Sequence, residues 1–99
     1  MAAKQLRFLE VALAEYLDAV EWYLDQSEAA ASGFTEAVAR DAATLAEAPN
    51  RWPVYLHGAR RMLLDRFPYA LVYRELPEVI QILAVAHCSR RPGYWKDRR

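Results

Sequence analysis

Residues 9–32 contain neither proline nor glycine, and this uninterrupted stretch begins where the hydrophobic period changes. Residues 4–8 alternate, with Leu6 and Phe8 on one side and Gln5 and Arg7 on the other, which predicts a short strand. From Glu10 the spacing becomes helical. Leu13, Tyr16, Leu17, Val20 and Leu24 form an apolar stripe, with Glu15, Asp18, Glu21 and Asp25 opposite. This helix should stop near Gln26 and Ser27. Ser27 is suited to cap a second helix, whose stripe is Phe34, Val38, Ala42 and Leu45. Gly33 weakens the early part of that helix, so a start nearer Ser32 stays open. Pro49 and Asn50 end it. Two helices with so short a connection predict an antiparallel hairpin, and alanines on the second allow close approach.

The remainder reads as strands. Residues 49–59 form a loop that Trp52, Val54, Tyr55 and Leu56 could fold back on the core. Residues 60–66 alternate as a strand of ambiguous facing, and Phe67-Pro68 marks a turn. Tyr69 to Glu75 is the next strand, with a tight connection at Leu76, Pro77 and Glu78. Residues 79–87 are the most apolar strand and are expected in the sheet interior. Arg90 to Trp95 reads as a tail with room for one helical turn. The order β-α-α-β-β-β predicts an α+β fold, a helical hairpin on one face of a mostly antiparallel four-stranded sheet. At 99 residues, this is one domain spanning the whole chain.

The formal net charge of zero hides an asymmetry. Residues 1–48 carry three basic and nine acidic side chains, 3 − 9 = −6, and residues 49–99 carry ten and four, 10 − 4 = +6. The basic half suits an anionic partner, although acidic helix surfaces offsetting basic strands would give the same sums. Cys88 is the only cysteine, which rules out an internal disulfide and suits a reducing cytoplasm. No apolar run reaches the ~18 residues of a membrane span, and the N-terminus has no hydrophobic signal region. Two histidines, His57 and His87, without a second cysteine or clustered carboxylates, do not make a metal site, and no glycine-rich phosphate loop is present. The acidic outer faces of both helices disfavour sequence-specific DNA binding by the chain alone.

The segment from Arg61 to Arg74, with Phe67-Pro68-Tyr69 and Val72-Tyr73-Arg74, resembles the RelE/ParE superfamily of bacterial type II toxin–antitoxin toxins. So does the ending Val85-Ala86-His87 followed by Arg90-Arg91-Pro92-Gly93-Tyr94-Trp95. The resemblance covers essentially the whole chain. It implies a cytoplasmic toxin with no cofactor and a cognate antitoxin as partner. The superfamily divides into a RelE-like branch, which cuts messenger RNA on the ribosome without metal, and a ParE-like branch, which blocks DNA gyrase. A shared fold does not choose between them.

The residues favour the ParE-like branch. Where the nuclease branch carries an arginine at the start of the third strand, this chain has Ala70. The lysines of the preceding strand are also missing, leaving Arg61 and Leu63. An arginine binds phosphate but shuttles protons poorly. His87, with Arg61, Arg90, Arg91 and Tyr94, is the constellation a nuclease would use. The alternatives are a histidine that bonds neighbouring backbone and aromatic tail residues that cover the core. Arg60, Arg61, Arg66, Arg74, Arg90 and Arg91 are the candidate partner- or anion-binding groups, suited to an acidic antitoxin tail. The expectation is a ParE-like growth inhibitor with gyrase as the implied target. The alternatives are a ribosome-dependent endoribonuclease and an inactive antitoxin-binding module.

Overall fold

A computed structural model describes residues 3–99. It contains β1 (Gln5–Phe8), α1 (Glu10–Gln26), α2 (Glu28–Glu47), a single 3-10 turn (Pro49–Arg51), β2 (Arg60–Leu63), β3 (Tyr69–Glu75) and β4 (Val79–His87). The expected order β-α-α-β-β-β is therefore the one observed, and the fold is α+β. The sheet order is β1-β4-β3-β2, which puts the apolar β4 in the interior. Only the β1–β4 pair is parallel.

Ser27 alone joins the two helices. Its N–H closes α1 on the Tyr23 carbonyl at 3.0 Å, and its Oγ accepts the Ala30 N–H at 2.9 Å. One residue thus satisfies an orphan carbonyl and an orphan donor. The second helix starts at Glu28, directly after this cap, and Gly33 does not delay it to Ser32.

The buried face of α1 differs from the stripe the sequence suggests. Ala12 and Ala19 are buried, and Tyr16, Val20 and Tyr23 pack into the cluster that holds Ala19. Leu13, Leu17 and Leu24 are 44%, 54% and 53% exposed. The two stripes lie one residue apart, about 100° around the helix, so periodicity alone cannot choose between them. The small pair wins because alanines let the α1 backbone lie close to β4 and α2. Glu15, read from sequence as part of the solvent face, turns inward with the alanines.

On the helical side of the sheet, Phe34, Val38 and Ala42 of α2 meet Leu64, Leu71 and Val85. Tyr16, Tyr23, Phe67 and Tyr69 surround Phe34. Trp52, Leu6 and Phe8 close the other end around Leu45, Met62, Tyr73, Ile80 and Ile82. The opposite face is covered by the C-terminal tail. Trp95, 2% exposed, lies against Ala59, Val72, Leu83, Ala84 and Ala86.

Two further expectations need correction. The second strand ends at Leu63, not at residue 66, because Leu64 bonds across to Tyr69 and the chain then turns. Within residues 49–59, Trp52, Tyr55 and Leu56 do pack on the core, but Val54 is exposed. His57 and Gly58 both have positive φ there, 54° and 76°, which reverses the chain into β2.

Candidate functional site

The sheet face opposite the helices carries a small open cleft. Its floor is Ala70, Val72 and Ala86, with Leu63 at the rim. Strand alternation explains this floor, since β2, β3 and β4 each send every second side chain to this face. Tyr55, from the loop before β2, forms one wall. The turn after β4 and the tail form the other, through His87, Arg90, Arg91, Tyr94 and Trp95.

Two of its guanidinium groups rest on aromatic rings. The Arg61 guanidinium lies 3.9 Å from the Tyr55 ring centroid, and that of Arg90 lies 3.9 Å from the Tyr94 centroid. Such stacking holds an arginine in one orientation while its N–H fork stays available.

The tail is held by a half-buried carboxylate. Glu15 of α1 accepts both terminal nitrogens of Arg98, at 2.8 and 3.0 Å. It also accepts the Tyr94 hydroxyl at 2.7 Å and the Val85 N–H at 3.1 Å. Arg98 donates in addition to the Leu83 carbonyl at 3.0 Å. The cause is topological. The register of β1 along β4 ends at Phe8 opposite Ile82, after which the chain leaves for α1. Leu83 and Val85 lie beyond that point and take their partners from Glu15 and Arg98. The Tyr94 phenol is pushed up to about 12, first by burial and then by its hydrogen bond to the Glu15 carboxylate. It stays protonated, with its proton committed to Glu15.

His87 sits at the end of β4 with its ring edge-on to Tyr69 at 5.0 Å. Its Nδ1 accepts the Ser89 N–H at 3.0 Å and lies 2.7 Å from the Ser89 hydroxyl. Only Nε2 remains for another partner.

Of the six candidate arginines, Arg61, Arg90 and Arg91 line this one cleft. The other three lie elsewhere. Arg60 faces the opposite way, opposite Tyr73, and donates to the Trp52 carbonyl. Arg66 lies in the β2–β3 connection beside Asp65, Glu36, Arg40 and Asp41. Arg74 sits near the far end of β3, where it donates to the Gln81 side chain at 2.8 Å. Linear proximity in a basic half-chain does not amount to one surface, because alternation and the long β3–β4 hairpin distribute these residues. Tyr55, Glu15 and Arg98 were not among the sequence candidates. No local pattern links position 15 to position 98, and the only hint was an acid interrupting a helix face that the alanines could also occupy.

Chemically, the cleft offers positive charge over an apolar floor. Among the described residues, no group of three His, Cys, Asp or Glu side chains is placed to hold a metal ion. Nor is any helix among them long and apolar enough to cross a membrane.

The family model described as the ParE toxin of the type II toxin–antitoxin system parDE matches residues 6–92. A solved structure described as the chromosomal ParDE toxin–antitoxin system from P. aeruginosa superposes with a TM-score of 0.74 at 21% identity. The alignment covers 86% of this chain and 96% of that one, and at this identity it speaks to the fold. Among curated proteins, none matches the chain.

Proposed function

The chain belongs to the ParE toxin family of type II toxin–antitoxin systems, and from that premise we propose that it arrests growth by binding a protein target, DNA gyrase, and is neutralised by a cognate antitoxin. The observation that carries this reading is the state of the cleft. Arg61, Arg90 and Arg91 surround a floor of Ala70, Val72 and Ala86, while the tyrosine a nuclease would use for proton transfer is engaged. The Tyr94 proton is given to Glu15, and with Nδ1 on Ser89 the His87 ring keeps one nitrogen, Nε2, for the cleft. Metal-independent RNA cleavage needs a base and an acid on either side of the scissile phosphate. A surface of fixed cations over an apolar floor serves binding instead.

The test is to add the purified chain to a gyrase supercoiling reaction and, separately, to ribosomes programmed with messenger RNA. Loss of supercoiling, relieved by the antitoxin, with intact message is the expected result. Ribosome-dependent cuts abolished by His87→Ala would overturn the reading in favour of an endoribonuclease built on His87, Arg61, Arg90 and Arg91. Unaffected growth on strong induction of folded protein would leave an antitoxin-binding module without toxicity.

A further inference from the structure

Resting on the protein-binding reading above, we propose that the cleft on the tail side of the sheet receives a peptide carboxylate carried beside an apolar side chain. Arg61 and Arg90 would hold the carboxylate, and the exposed Leu63, at the rim of the Ala70, Val72 and Ala86 floor, would take the apolar neighbour.

Four observations converge on this ligand chemistry. First, both guanidiniums are already oriented by rings at 3.9 Å, so little side-chain freedom is lost when a planar carboxylate docks on them. Second, their charges are uncompensated. Among the described residues Arg61 has no ion pair, and Arg90 comes only within 4.0 Å of Glu15, whose oxygens already serve Arg98, Tyr94 and Val85. Third, the floor carries no polar side chain, and Leu63 at its rim is 55% exposed. An apolar residue gains by covering that leucine, while a ribose-phosphate chain would find no hydrogen-bonding partner on the floor. Fourth, Arg61 covers a face of Tyr55, and Tyr94 has Arg90 and Arg98 against its ring. These rings are therefore occupied as platforms on which single-stranded bases would stack.

The neighbouring strand adds a backbone component. β2 is an edge strand, and among the described residues its outer side is bridged only at Arg60, by Val54. Past that point an extended peptide can run beside it, with alternate side chains directed over the cleft.

The experiment is a titration of the full chain followed by NMR. The additions are the acetylated, amidated pentapeptide Leu-Asp-Leu-Glu-Leu, its Leu-Asn-Leu-Gln-Leu counterpart, and pentauridylate. The acidic peptide should shift signals of Arg61, Ala70, Val72, Ala86 and Arg90, and bind at least about tenfold more tightly than its neutral counterpart. The double substitution Arg61→Gln with Arg90→Gln should abolish that preference while spectra from the helical face stay unchanged. Arg66→Gln, on the other side of the molecule, should leave it intact. The proposal fails if millimolar acidic peptide leaves the cleft signals in place, or if the neutral peptide binds equally. It also fails if Arg66→Gln weakens binding as much as the cleft pair, or if pentauridylate takes the same signals more tightly. A chain that binds the acidic peptide here yet leaves growth and supercoiling untouched would keep the receptor and sink the toxin reading. A growth-arresting chain with an inert cleft would do the reverse.

Discussion

Replacing Glu15 by alanine should cost this domain a large part of its stability, although sequence alone places that residue among the solvent-facing acids of α1. Removing the carboxylate takes the partner from the Tyr94 hydroxyl and the Val85 N–H and leaves the Arg98 guanidinium with the Leu83 carbonyl alone. Taking away one member of a buried ion pair costs about 3–5 kcal/mol, because the remaining charge is left desolvated. The Glu15 and Arg98 side chains are 14% and 18% exposed, so the surviving guanidinium can recover some water, and the lower end, about 3 kcal/mol, is the expected loss. Against a total of roughly 5–15 kcal/mol for a domain, that is a substantial fraction. It corresponds to a fall in Tm of roughly 12–24 °C for a chain of this length. Urea and thermal unfolding of Glu15→Ala, Arg98→Met and the double variant would measure it. The cycle should show a coupling of about 2 kcal/mol, while Arg90→Ala, 4.0 Å from the carboxylate, should couple weakly. An exposed acid would change stability by no more than about 0.5 kcal/mol. A loss below about 1 kcal/mol, or additive single effects, would refute the latch.

Three further outcomes follow from the same packing. Gly93 has φ +81°, and a β-carbon there would meet His57 Nε2 at 2.9 Å, so Gly93→Ala should lose about 1–3 kcal/mol in urea unfolding; an unchanged midpoint would contradict the close approach. On α1, Ala19→Leu should overpack the interface at a cost of about 1–3 kcal/mol, whereas Leu17→Gln should stay within about 0.5 kcal/mol; the opposite ranking in thermal melts would restore the leucine stripe as the core face. The phenols of Tyr73 and Tyr94 are both pushed up to about 12, mainly by burial, while an unfolded tyrosine loses its proton near 10. Their contribution is whole below pH 10 and is lost as pH climbs through about 12, so Tm should drop over that window, less steeply in Tyr94→Phe; equal slopes would count against the engaged phenol.

Element order was legible because the hydrophobic period changes from two to 3.6 and back, with Ser27, Pro49 and Pro68 as punctuation. Those signals act within a few residues and survive in any tertiary setting. Ala70 and the absence of lysine from β2 were equally readable, since each concerns the residue type at one position. Which face of α1 turned inward was not, because Leu13, Leu17 and Leu24 and the Ala12, Ala19 pair satisfy the same period. Only the depth available over β4 chose the smaller side chains. The six arginines likewise looked like one basic surface. Strand alternation and register sent Arg60 to the helical side, Arg66 to a turn and Arg74 to the far end of β3, and left Arg61 with Arg90 and Arg91. The Glu15–Arg98 pair lies furthest from anything readable in the chain. It spans 83 positions and exists because β1 leaves β4 at Ile82, so the later backbone groups need partners that only the folded helix and the returning tail can bring.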